Sequence, residues 1–130
     1  MHKVRGVGRL FFKCKEPEKL AAWYKENLGI QMDGPTYGLF NPHEAQEHDR
    51  IVWSTFSSDT DYFAPSEQPF MFNFIVDDVE AMLAQVTKAG ATQAGEVVKE
   101  SNGDFGWFVD PAGFKVELWM PNSFESTEVD

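Results

Sequence analysis

The feature that most constrains this chain is a weak internal repeat. Residues 9–16 (RLFFKCKE) align with residues 71–78 (MFNFIVDD). Both are strand-like runs ending in an acid, and a helical pattern follows each. Arg9 pairs with Met71 at an offset of 62, and Gly29 with Gly90 at 61, so the register slips by one inside the helix. A repeat of this kind implies two similar supersecondary units rather than one continuous fold.

The first helix is predicted over 17–28. Glu16 places an acid at its start, and Pro17 occupies the first helical position, where a missing N–H costs nothing. Leu20, Trp23, Tyr24 and Leu28 recur at helical spacing. The second helix is predicted over 79–89, with Val79, Met82, Leu83 and Val86 as its apolar stripe and Asp77 with Glu80 as a capping-box-like start. Gly29 and Gly90 close the two helices by supplying a left-handed residue. Short strand candidates follow each helix: 30–32, 37–40 and 50–56 in the first half, and 96–99, 106–109 and 114–120 in the second. Asn102-Gly103 and Asp110-Pro111-Ala112-Gly113 are turn signals. Each half therefore reads strand, helix, strand, strand, strand, which makes the chain α+β. Module one spans about 5–56 and module two about 70–121. The Ser-, Asp- and Pro-rich segment 57–69 reads as a linker and 122–130 as a polar tail, all within one domain, 1–130.

Alternation assigns the faces of the strands. Leu10, Phe12 and Cys14 fall on the helix side, as do Phe72, Phe74 and Val76. Arg9, Phe11 and Lys13 fall on the opposite face, with Met71, Asn73 and Ile75. In the last strand Val116 and Leu118 alternate with Lys115, Glu117 and Trp119. A sheet carrying helices on one face leaves the other free to line a cavity.

Composition narrows the partners. A net charge of −10 repels phosphate backbones, so nucleic acid is not expected; it mildly favours a cationic ligand. No apolar run approaches membrane-spanning length, and the N-terminus lacks a signal-peptide h-region. The single cysteine, Cys14, forbids an intrachain disulfide and suits a reducing cytoplasm.

The duplicated βαβββ pattern, Trp23-Tyr24 before Leu28-Gly29, the Val76-Asp77-Asp78-Val79 junction and the ending Asp110-Pro111-Ala112-Gly113-Phe114-Lys115-Val116-Glu117-Leu118-Trp119 resemble the vicinal oxygen chelate superfamily. That superfamily includes glyoxalase I, extradiol dioxygenases, methylmalonyl-CoA epimerase and the bleomycin-resistance proteins. Residues 53–63 (WSTFSSDTDYF) with Gln68-Pro69-Phe70 look like a glyoxalase-like subgroup, and the resemblance covers 5–121. It implies eight strands curling into a cup with helices on the outer face, and a homodimer.

The family's metal enzymes place ligands at the first residue of each half's first strand and near the end of each half's last strand. Their open metal polarises a chelating substrate. At the matching positions this chain has Arg9, a permanent cation, and Met71, a soft thioether unsuited to a hard centre. Ile51, Val52 and Trp53 are the candidates in the first half's last strand. Glu117 is the one retained ligand position. The expectation is therefore no cofactor, with a divalent metal disfavoured.

Several residues have competing readings. Glu117 is a relic ligand, a general base, or an acid pairing with a cationic group; alternatively it bridges to Arg9 across the cup. Breaking such a buried pair costs about 3–5 kcal/mol. Arg9 is otherwise a clamp for an anionic ligand group. His43 and His48 are five apart, about 140° around a helix, and so miss the four-residue zinc spacing; they are expected in an exposed loop. Phe11 and Trp119 are expected on the cup wall, with Met71, Asn73 and Trp53 as further lining residues; Trp107 is a further candidate for the wall, but for it and Trp23 the core reading is favoured. Asp61 and Tyr62 are expected in a polar linker, with a lid over the cup mouth as the alternative. Cys14 is expected to be a small buried apolar group.

The leading functional expectation is a glyoxalase-like protein binding a small organic molecule without a metal. One alternative is a lyase or isomerase using Glu117 as base, with Arg9 stabilising the oxyanion. The other is a drug-sequestering protein of the bleomycin-resistance type.

Overall fold

The structure is a computed structural model that describes residues 10, 12–47, 49, 51–52 and 55–122. Helix α1 spans Pro17–Leu28, and a single 3-10 turn covers Pro42–Glu44. Strand β1 (Phe72–Ile75), helix α2 (Val79–Lys88) and strands β2 (Thr92–Gln93), β3 (Val98–Glu100), β4 (Gly103–Val109) and β5 (Lys115–Pro121) complete the described elements. The strands form one open mixed sheet, ordered β1-β5-β4-β2, with β3 also paired to β4. β1 runs parallel to β5; the other pairings are antiparallel. Among the described residues no helix is long and apolar enough to cross a membrane.

Both helices cover one face. The core beneath them contains Leu20, Val86, Phe108, Val116 and Leu118. Gly106 lets α2 approach β4 closely: a Cβ there would lie 2.7 Å from Val79 Cγ1 and 2.8 Å from Leu83 Cδ1. The Trp23 indole N–H donates to the Ala89 carbonyl at 3.0 Å, joining α1 to the end of α2 and giving Trp23 its expected place in the packing. The β4–β5 turn is tied to α1 through Asp110. One carboxylate oxygen of Asp110 accepts from Tyr24 Oη at 2.6 Å, and the other accepts from the N–H groups of Ala112 and Phe114.

Helix α1 has the bounds its sequence predicts, with Gly29 in the left-handed region. The cap of α2 falls one residue later than expected: Asp78, not Asp77, accepts from the Ala81 N–H. Four second-half strands lie where expected, and β2 is additional.

The first half differs from the reading of eight strands in a cup. Five strands form among the described residues. Of the expected first-half strands, those residues carry only the bridge between Met32 and Gly38. Leu39 and Phe40 are 66% and 70% exposed, with no covering face to order a strand. Of the expected Leu10-Phe12-Cys14 alternation, Phe12 packs on Phe72 and Phe114 and Cys14 on the core cluster, whereas Leu10 is 61% exposed. These side-chain contacts are made without a backbone ladder at residues 12–14. Arg9, Phe11, His48, Arg50, Trp53 and Ser54 lie outside the described residues.

Candidate functional site

The helix-free face is built by alternation along β5. Val116 and Leu118 enter the core, so Lys115, Glu117 and Trp119 point the other way. Glu117 stands directly opposite Asn73 on β1 and Trp107 on β4. Three adjacent strands thus place a carboxylate between an amide and an indole in one row.

The row converges on the carboxylate. Asn73 Nδ2 donates to Glu117 Oε2 at 2.6 Å, and Trp107 Nε1 donates to Oε1 at 2.9 Å. A third donor comes from outside the sheet: the Tyr62 hydroxyl donates to Oε1 at 2.5 Å. Lys115 Nζ donates to the Tyr62 carbonyl at 2.5 Å and lies 5.1 Å from the Tyr62 ring centroid. The Tyr62 ring stacks on Phe56, with centroids 5.3 Å apart, and meets Trp107 edge-on.

Burial governs the electrostatics. It is the main cause that raises the Tyr62 hydroxyl well above the usual tyrosine range, and the bond to Glu117 adds to it. Lys115, only 8% exposed, is pushed down by desolvation, against the opposing pull of Glu117 and Asp61. The face therefore presents a carboxylate held by neutral donors beside a desolvated amine.

Two of the sequence expectations are corrected here. Trp107 is not a core residue; its indole reaches Glu117 on the helix-free face, because Gly106 and Phe108 take the helix side of β4. Tyr62 is not simply part of a polar linker, since its hydroxyl and carbonyl both engage the sheet. The signal for this was the aromatic content of a segment otherwise rich in Ser, Asp and Pro. Trp119 lies on the expected face but is only 4% exposed; its Nε1 donates to the Asn102 carbonyl at 2.9 Å and its ring stacks on Phe105. Met71 is half-buried just before β1, and Asn73 is exposed. His43 lies in the exposed 3-10 turn. Arg9, Phe11 and Trp53 lie outside the described residues, so the expected Arg9–Glu117 bridge does too.

An open mixed sheet, with two helices on one face and a polar-aromatic cluster on the other, defines an α+β protein with its candidate site on the helix-free side. The profile described as glyoxalase-like domain matches residues 9–119. The chain belongs to this glyoxalase-like family, consistent with the vicinal oxygen chelate superfamily. No curated protein matches it significantly. Among solved structures, it is similar to a protein of unknown function from Agrobacterium tumefaciens, with 19% identity, coverage of 94% of this chain and 98% of that one, and a TM-score of 0.56. It is also similar to a glyoxalase-related enzyme from Fulvimarina pelagi, with 17% identity, coverage of 95% and 90%, and a TM-score of 0.51. A glyoxalase family protein from Bacillus cereus matches at 20% identity over 56% of this chain, with a TM-score of 0.41; the chain spans 48% of that protein's length. At these identities the likenesses to the first two structures concern the fold.

Proposed function

We propose that this glyoxalase-like chain binds a small organic molecule on the helix-free face, around Glu117, without the metal of the family's enzymes. The observation that carries the reading is the convergence of Asn73, Trp107 and Tyr62 on one carboxylate. An ionised carboxylate has about four acceptor sites. Two are filled from the sheet by Asn73 and Trp107 and one from outside it by Tyr62, so a donor on a ligand has the remaining direction and, where Tyr62 gives way, the Tyr62 direction. The same occupancy leaves little room for a metal at Glu117. Arg9 and Met71 at the matching positions do not fit a hard divalent ion either. The donor set thus does not suit the family metal. Acid–base chemistry at Glu117 is the weaker reading, because three of its lone pairs are already engaged.

The eight-stranded cup of two modules, 5–56 and 70–121, belongs to the same proposal; the contact of Phe12 with Phe72, beside β1, is the observation that favours it. Screening a fragment library by thermal shift against wild type and Glu117→Gln tests the binding role. Fragments that raise the wild-type Tm are expected to lose that effect in Glu117→Gln. Equal shifts in both proteins would remove Glu117 from the site.

A further inference from the structure

We infer that Tyr62 is a built-in occupant of the Glu117 site, and that the ligand it stands in for is a phenol carrying a carbonyl acceptor. The inference rests on the binding reading above and names the ligand class. Tyr62 meets the sheet as a bound molecule would. Its hydroxyl donates to Glu117 Oε1, its carbonyl accepts from Lys115 Nζ, and its ring lies between Phe56 and the Trp107 edge. The phenol and the carbonyl are thus recognised separately, by an anion and a cation.

The segment carrying Tyr62 holds its own shape. Thr60 N–H donates to the Ser57 carbonyl, Ala64 N–H to the Asp61 carbonyl, and Tyr62 N–H to Thr60 Oγ1. These local turns are made within the segment, so it can lift as a unit once its Tyr62 contacts with Glu117, Lys115 and Trp107 and the attraction of Asp61 to Lys115 are replaced. A ligand reproducing both bonds exchanges with Tyr62 at little cost in unsatisfied groups. One offering only an aromatic ring leaves Glu117 and Lys115 each short of a partner. Tyr62 also lowers the apparent affinity of the wild-type protein, because only the lifted fraction is competent to bind.

The test compares N-acetyl-tyrosinamide with N-acetyl-phenylalaninamide by calorimetry on wild type, Tyr62→Ala and Tyr62→Phe. Tyr62→Ala is expected to bind the tyrosine amide about tenfold or more tighter than wild type does. It should also prefer that amide over the phenylalanine amide by about tenfold, the worth of a hydrogen bond to a charged group. Adding Glu117→Gln should abolish the preference. Tyr62→Phe keeps the ring and loses only the hydroxyl bond, so a smaller gain in the same direction is expected even if Tyr62→Ala does not fold. No gain in any folded variant overturns the inference. Fragment binding that depends on Glu117 but does not distinguish the two amides overturns the phenol assignment and leaves the binding face standing.

Discussion

Glu117 and Leu118 are neighbours on β5 and meet opposite surroundings. Leu118 is fully buried among Phe108, Val86 and Val116 under the helices. Glu117 faces an amide, an indole and a phenol on a side that no described helix covers. The two faces share one ladder and so cannot move independently, yet they are held by different forces. The helix side is held by apolar burial, which is non-directional and strong. The other side is held by directional bonds whose net worth is modest and whose geometry is selective. A sheet of this kind can specialise one face for recognition while the other supports the fold.

The largest expected effect breaks the supporting face. Leu118→Ala should destabilise by about 3 kcal/mol, within the range for buried leucine truncation, in chemical denaturation. Glu117→Gln, one residue away, should change stability by less than about 1 kcal/mol while altering ligand binding. Comparable losses from both would erase the division between the faces.

The Asp110 junction is the polar exception on the helix side. Asp110→Ala removes the acceptor for Tyr24, Ala112 and Phe114 together, so a loss of about 2–3 kcal/mol is expected. Tyr24→Phe should cost about 1 kcal/mol, because only one bond is lost. If Asp110→Ala costs no more than Tyr24→Phe, the turn does not depend on the carboxylate.

The smallest effect appears with pH. Burial raises Tyr24, with Asp110 adding to the shift, and burial likewise raises Tyr62. Each stays protonated in the folded chain where the unfolded chain ionises. Their contribution is therefore complete below about pH 10 and lost as pH rises beyond it. Lys115 acts in the opposite sense. Its lowered folded value means that the unfolded chain binds the proton more tightly, so stability is gained as pH rises toward about 10.4. Net alkaline destabilisation is expected in denaturation curves, smaller in Tyr24→Phe and larger in Lys115→Met. An unchanged slope in Tyr24→Phe would assign the effect to other groups.

Legibility in the sequence followed the range of the interactions. The bounds of α1 were readable because Pro17 and Gly29 act locally. The faces of β5 were readable because alternation is local, and it placed Glu117 and Asn73 on the shared helix-free side. The row Asn73–Glu117–Trp107 was not readable, because the parallel pairing of β1 with β5 spans more than forty residues and no local pattern sets its register. Trp107 was misplaced for a different reason: an aromatic residue on β4 looks like core until Gly106 and Phe108 are seen to fill the helix side. Tyr62 was hidden by its segment's polar composition, although Phe56, Tyr62 and Phe63 are too aromatic for a solvated linker. At residues 12–14 the strand was overread because Leu10, Phe12 and Cys14 alternate like a strand, while the contacts of the partly exposed Phe12 ring with Phe72 and Phe114 need no ladder at that point.

The most direct test of a binding face around Glu117 is a two-dimensional amide and indole NMR titration with the fragments that raise the Tm. The Trp107 indole N–H and the Asn73 side-chain amide report on the two sides of the carboxylate. Ligand binding is expected to move both signals and leave the Trp23 indole signal on the helix side in place, and in Glu117→Gln to move none of the three. Shifts confined to Trp23 and the helices, or identical shifts in Glu117→Gln, would contradict a site on the helix-free face.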